Sequence, residues 1–268
     1  QVLIDEATQA TEPASLVALT RGARQVVLVG DHKQLPPTVI SFRAEEKGLK
    51  RSLFERLVDL GIEPLLLSTQ YRMHPSISKF PNQHFYSGRL NDGVKSENRP
   101  SPAGLLWPDW DNPVAFIPVD GGEVVSPDGT SRENPTEVSW VIKILNEILE
   151  AGEITKKDIG IITPYAGQVR AIRNSMSENL DDVEVKTVDG YQGREKEVII
   201  FSCVRSNAEQ NVGFLSEMRR LNVALTRAKR GLIVIGDPAT LRGDKNWRAW
   251  LEYVRDSNFE AWHLLGMT

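Results

Sequence analysis

Short apolar runs alternate with helical stripes along this chain. Residues 2–4, 25–29, 114–119, 158–165, 183–188, 198–204 and 232–235 are runs of strand length. Gly, Pro or acidic residues close most of them, so they read as strands. A further run, Leu65-Leu66-Leu67, reads as the end of a strand. Residues 12–19 read as a helix that offers Leu16, Val17 and Leu19 to a core, and residues 25–29 as a buried strand. Residues 52–60 read as a helix with Ser52 as N-cap, Leu53, Leu57 and Leu60 near one face, and Gly61 past its end. The clearest helix is 135–150. Val138, Val141, Ile142, Leu145, Ile148 and Leu149 follow the 3.6 spacing, with Pro135 in the first turn and Gly152 beyond the last. Helices are also predicted over 167–177, over 219–230 with Arg220, Arg227 and Arg230 on related faces, and near 247–254 with Trp247, Trp250 and Leu251 in the core. Residues 87–113 are rich in Gly, Pro, Asn and Asp and read as loop, anchored by Trp107 and Trp110. The alternation predicts an α/β fold of parallel sheets with helices on both faces.

Composition changes this picture little. Of 268 residues, 40% are apolar and 25% charged, the mix of a globular protein. No apolar run approaches the roughly 20 residues of a membrane span, so no membrane association is expected. The single cysteine, Cys203, lies in an apolar run; it cannot form an internal disulfide and reads as a buried core residue. That usage fits an intracellular protein, cytoplasmic or nuclear. A net charge of −4 gives no global attraction to nucleic acid. Local clusters matter more: Arg219, Arg220, Arg227, Lys229 and Arg230 form one, and Lys47, Lys50 and Arg51 another. The N-terminus opens in mid-strand with no initiator Met, which reads as a fragment of a longer chain.

The chemistry concentrates where strands end, the edge at which parallel sheets bind ligands. Asp5 and Glu6 close the first strand. Such a pair suits Mg²⁺ and an attacking water, and equally an acidic helix start. Gln34, in the loop Gly30-Asp31-His32-Lys33-Gln34-Leu35-Pro36-Pro37, is placed for a phosphate or a water, or for an ordinary turn. Tyr71 and Arg72 are expected on a strand-to-helix loop. There a ring stacks on a base and a guanidinium reaches a phosphate, or the two are a packed ring and a surface charge. Gly190 and Gly193 bracket Gln192.

Taken together, the clusters resemble superfamily 1 helicases, most closely the group containing the regulators of nonsense transcripts and senataxin. Asp5-Glu6-Ala7-Thr8 resembles motif II, Gly30 to Pro37 motif III, and Gln70-Tyr71-Arg72-Met73-His74-Pro75 motif IV. Val188 to Glu195 resembles motif V, and Leu221 to Lys229 motif VI. The resemblance implies a RecA-like P-loop NTPase fold: residues 1–67 the back half of a first RecA-like domain, 68–268 a complete second one, and ATP in the cleft between them. It further implies that Asp5 holds Mg²⁺, Glu6 activates water, Gln34 senses the γ-phosphate, and Tyr71 stacks on adenine. Arg72 and Arg227 would be arginine fingers, and Gln192, Gly193 and Glu195 would line the nucleotide, Glu195 at the ribose. Thr163, Pro164, Val188 and Asp189 would track single-stranded RNA or DNA.

One departure stands out. The P-loop G-x-x-x-x-G-K-[ST] is missing, since no Gly-Lys dipeptide occurs in the sequence. The expected function is therefore the C-terminal part of an ATP-dependent 5′-to-3′ helicase that needs the P-loop half from elsewhere, the isolated chain being inactive. The alternative is a non-catalytic module that binds single strands.

Overall fold

The computed structural model describes residues 1–265. It forms two compact units, Gln1–Leu67 and a second beginning at Ser68. In the first unit, β1 (Val2–Ile4) pairs in parallel with β2 (Val26–Leu28), joined through α1 (Glu12–Leu19). α2 (Phe42–Glu46) and α3 (Leu53–Asp59) follow. Ser52 caps α3 as predicted, its Oγ accepting from the Glu55 amide at 3.1 Å.

Several apolar residues of this unit are not interior. Val26 and Val27 of the strand expected to be buried are exposed, as are Leu16 and Val17 of α1 and Leu60 after α3. Leu65, Leu66 and Leu67 form no strand, and Leu65 is 92% exposed. The sheet has only two strands among the described residues, so its strands lack the neighbours that would cover their apolar side chains. Phe54, beside Leu53, is the buried side chain of α3 instead of Leu60.

The second unit opens with β3 (Thr69–Gln70), α4 (Pro75–Tyr86) and β4 (Asn91–Asp92), which pairs with β3. Its core is one five-stranded parallel sheet in the order β5-β11-β10-β8-β9. The strands are β5 (Val114–Pro118), β8 (Ile159–Thr163), β9 (Glu184–Thr187), β10 (Lys196–Ser202) and β11 (Ala228–Gly236). Between β5 and β8 lie the hairpin β6 (Val124–Val125) and β7 (Arg132–Glu133), then α5 (Pro135–Glu150). α6 (Ala166–Ser175) and α7 (Met218–Leu225) precede β9 and β11, and α8 (Pro238–Leu241) and α9 (Lys245–Asp256) close the chain. This is the α/β class expected, parallel sheets flanked by helices.

Side-chain alternation along the strands divides the core between two faces. Ala115, Ile117, Ile161, Ile200 and Ile233 pack against Val141, Ile144, Leu145 and Ile148 of α5. On the other face Phe116 meets Trp250 edge-on at 5.3 Å, and Phe201 stacks on Trp247 at 6.0 Å. Burying such side chains stabilises by about 1.5–3 kcal/mol each. Trp107 is buried, whereas Trp110 is 53% exposed. Cys203 is buried, and burial pushes its thiol well up. No helix among the described residues is long and apolar enough to cross a membrane.

The helix expected over 219–230 stops at Leu225. Thr226 caps it, its Oγ1 donating to the Asn222 carbonyl at 2.7 Å, and β11 begins two residues later by pairing Ala228 with Lys196. Arg220 therefore lies in the helix, Arg227 in the joint and Arg230 in the strand, so the three do not share a helix face.

Candidate functional site

The loop between β3 and α4 carries Tyr71 and Arg72, and Gln70 shapes it. Gln70 Oε1 accepts from the amides of Arg72 (2.9 Å) and Met73 (2.8 Å), while its Nε2 donates to the Met73 carbonyl and to Asp92. His74 caps α4, its Nδ1 accepting from the Ser76 amide at 3.1 Å. Burial holds this imidazole below its usual range, against the upward pull of Asp92 and Asp111; the unprotonated Nδ1 is what the cap requires. The His74 amide donates to the Lys229 carbonyl at 2.8 Å, tying the loop to β11.

Arg72 is thereby aimed at two partners. Its Nε donates to Glu195 Oε2 at 2.6 Å and its Nη1 to the Thr226 carbonyl at 3.0 Å. Lys229 Nζ lies 3.0 Å from the other Glu195 oxygen. Burial opposes ionisation of Glu195, but hydrogen bonds from Arg72 and Lys229 outweigh it and hold the carboxyl below the usual range. Arg227, 2% exposed, donates through Nε to the Val223 carbonyl at 3.0 Å and through Nη2 to Thr226 Oγ1 at 2.9 Å. Thr226 thus holds both arginines. Sequence reasoning missed it, because a helix read through to residue 230 put Thr226 in its middle and not at its end.

Tyr71 leaves 68% of its surface exposed. Its ring lies on Gly93, where a Cβ would come within 2.3 Å of Tyr71 Cε1. A bare glycine leaves room for the Cδ1–Cε1 edge of the ring. Gln192 follows the turn at Asp189–Tyr191, and its Nε2 is buried with no hydrogen-bond partner. A buried unmatched donor is costly and suits an acceptor brought by a ligand. Gly193, at φ +74°, is exposed.

Thr163 and Val188 are joined by a backbone hydrogen bond of 3.1 Å, which places the end of β8 beside the turn that follows β9. Both side chains are buried, so Val188 can offer a ligand only its backbone. Pro164 is half-buried and Asp189 exposed, and Arg220 reaches Asp189 at 3.2 Å.

In the first unit, Asp5 and Glu6 follow β1 and are exposed. Asp5 Oδ1 accepts from the Glu6 amide at 2.9 Å. Glu6 holds φ +50°, a left-handed conformation uncommon outside glycine. Glu6 Oε2 accepts from Gln9 Nε2 at 2.6 Å. Gly30 packs against Thr8, where a Cβ would meet Thr8 atoms at 3.0 Å, so the loop after β2 runs beside this turn. In that loop Gln34 Nε2 donates to Asp31 Oδ2 at 2.9 Å. No cluster of three metal-ligating side chains occurs among the described residues. Mg²⁺ does not need one: it commonly takes one or two carboxylates, with phosphates and water completing the octahedron. The exposed Asp5 carboxylate fits that role.

Two family models described as AAA domain match the chain, over residues 49–239 and 1–42. The chain is 47% identical to the regulator of nonsense transcripts 1 homolog of Drosophila melanogaster, over 95% of this chain and 22% of that protein. It is 47% identical to the Arabidopsis thaliana homolog over 96% of this chain and 21% of that protein. It is 46% identical to the ATP-dependent helicase NAM7 of Saccharomyces cerevisiae over 95% of this chain and 27% of that protein. The chain spans only about a fifth to three-tenths of the length of these relatives. A solved structure of a PRRSV helicase aligns at a TM-score of 0.44 and 17% identity, covering 88% of this chain and 34% of the other.

Proposed function

Because this chain belongs to the AAA-domain family, within the superfamily 1 helicases of the regulator-of-nonsense-transcripts group, we propose that it is the C-terminal part of an ATP-driven 5′-to-3′ motor on single-stranded RNA or DNA. On this reading residues 1–67 are the back half of one RecA-like domain and residues 68–268 a complete second one. The observation that carries the proposal is the convergence of Arg72 and Arg227 on Thr226, with Glu195 alongside. On this reading the two guanidiniums act on one anionic group, the kind of ligand their planar fork of donors suits.

ATP with Mg²⁺ would supply the bond to be hydrolysed. Asp5 would hold the metal, which would offset charge on the phosphates, and Glu6 would orient the attacking water and take its proton. Gln34 hydrogen-bonds the terminal phosphate. Arg72 and Arg227 oppose charge developing in the transition state. Tyr71 stacks on the adenine, Glu195 accepts from the ribose hydroxyls, and Gln192 Nε2 gains the acceptor it lacks, with Gly193 leaving room. Thr163, Pro164 and the Val188-Asp189 turn follow the strand's backbone. The sequence contains no Gly-Lys dipeptide, so the phosphate-cradling lysine must come from outside it.

A chimera joining the P-loop portion of a regulator of nonsense transcripts to Gln1 tests the proposal. Phosphate release stimulated by single-stranded RNA is expected, and Glu6→Gln should abolish it while nucleotide still binds. The chain without that portion should show no turnover. A folded chimera that binds ATP and RNA but never hydrolyses would favour the second reading, a non-catalytic single-strand-binding module.

A further inference from the structure

Phe214 is a large aromatic, 57% exposed, in the short turn Gly213–Ser216 between β10 and α7. The backbone of Phe214 is held by its surroundings. Its amide donates to the hydroxyl of Tyr165 at 3.2 Å, and the two rings lie 5.4 Å apart. Tyr165 is itself buried and receives Arg205 Nη1 at 3.2 Å, while Arg205 Nε donates to Glu123 at 2.6 Å. Gly213, at φ +54°, allows the turn to press against this group: a Cβ there would come within 2.0 Å of Arg205 Nη1 and 2.5 Å of the Tyr165 hydroxyl. On the far side of the turn Leu215 is buried and its carbonyl accepts from Trp247 Nε1 at 2.9 Å. Both flanks of Phe214 are thus pinned while the ring remains accessible.

Its surroundings are the loops proposed above to follow a strand's backbone. Tyr165 directly follows Thr163 and Pro164. The Arg220 guanidinium lies 5.4 Å from the Phe214 ring centre and reaches Asp189 at 3.2 Å. The ring is therefore linked on one side to the end of β8 and on the other to the turn after β9, the two loops proposed above to follow a strand's backbone. A rigid aromatic face beside an arginine suits a nucleobase, because every base offers a π-face and stacking is tolerant of sequence.

We infer that Phe214 is a stacking platform for one base of a bound single strand, with Arg220 as its cationic neighbour. This rests on the single-strand-binding reading of the same loops and adds to it a residue that touches a base. The platform distinguishes an unstacked single strand from a duplex, whose bases are already stacked on one another.

The test uses the full chain and single-stranded oligonucleotides, both RNA and DNA, at fixed salt. With 2-aminopurine placed at successive positions, wild-type protein should quench fluorescence at one position, and an abasic site there should weaken binding. Phe214→Ala should weaken binding about 5- to 100-fold and remove the penalty for the abasic site. Phe214→Tyr should bind like wild type and Phe214→Leu like the alanine variant, with all four proteins melting alike. Leu keeps apolar bulk without a π-face, so this pair separates stacking from structural support. Equal binding by wild type, Phe214→Ala and Phe214→Leu would overturn the inference alone. A wild-type chain that binds no single strand would overturn the underlying reading with it. If Phe214→Ala fails to fold, the 2-aminopurine signal on wild type and the Tyr and Leu variants still decide.

Discussion

Arg72 and Arg227 are tied to the same residue: Nη1 of the first donates to the Thr226 carbonyl at 3.0 Å, and Nη2 of the second to the Thr226 hydroxyl at 2.9 Å. The two differ in burial. Arg227 is 2% exposed, whereas the Arg72 side chain retains 30% and shares its carboxylate with Lys229. The same substitution should therefore read differently at the two positions.

At Arg72, lysine keeps the charge but loses the planar fork. In a protein supplied with the P-loop portion, Arg72→Lys should cut kcat by about 10³-fold or more, with a much smaller change in ATP affinity. Its partly exposed ion pair contributes about 1 kcal/mol or less to stability, so the melting temperature should barely move. Steady-state kinetics and thermal melts on one preparation check both statements. Near-normal kcat would remove Arg72 from the chemistry.

At Arg227, lysine cannot reproduce the donors to Val223 and Thr226 from one ammonium. Arg227→Lys should lower both kcat and the melting temperature, by about 1–3 kcal/mol of stability for the lost hydrogen bonds of a buried charged group, although the Val223 carbonyl keeps its bond from the Thr226 amide at 3.2 Å. A melt unchanged from wild type would show that the joint after α7 tolerates the loss.

Gly93→Ala tests the Tyr71 platform without touching Tyr71. The added Cβ would meet the Cδ1–Cε1 edge of the tyrosine ring at 2.3–2.5 Å and Thr69 Cγ2 at 2.9 Å, and the exposed ring can swing away. Binding of adenine nucleotides should weaken several-fold, about 1 kcal/mol of lost stacking, with the melting temperature unchanged. Titration with a fluorescent ATP analogue measures it; unaltered affinity would place the adenine elsewhere.

Glu137 makes a prediction about pH. It is fully buried, accepting from Ser202 Oγ at 2.6 Å and from the Val204 amide at 2.9 Å, and Val204 holds φ +73°. Burial raises its carboxyl to about 8 against those hydrogen bonds. The unfolded chain ionises near 4.3. Its contribution is therefore fully present below about pH 4 and is lost as pH rises through about 8, by at most about 5 kcal/mol. Urea melts of wild type and Glu137→Gln between pH 5 and 9 isolate this term. Wild type should lose ground to the variant as pH rises; parallel curves would show that Glu137 does not titrate in this window.

Local pattern determined much of this protein. The stripe over 135–150, the capping Ser52 and the strand runs at 114–119 and 198–204 needed only helical or strand periodicity and a polar end, and they formed where that pattern lies. The placement of Tyr71 and Arg72 on a strand-to-helix loop was equally legible, because Pro75 permits a helix to start but not to run through. Tertiary structure decided what depends on residues distant in the chain. It ended α7 at Leu225, since pairing of Ala228 with Lys196 draws the chain into β11 against the helical tendency of residues 226–230. It buried Arg227, which sequence spacing had placed on a helix face. It put the carboxyl of Glu137 in the interior, where Ser202 and the Val204 amide, distant in the chain, donate to it. It left Val26 and Val27 exposed, because a strand is buried only when other elements cover it, and periodicity carries no information about which elements do.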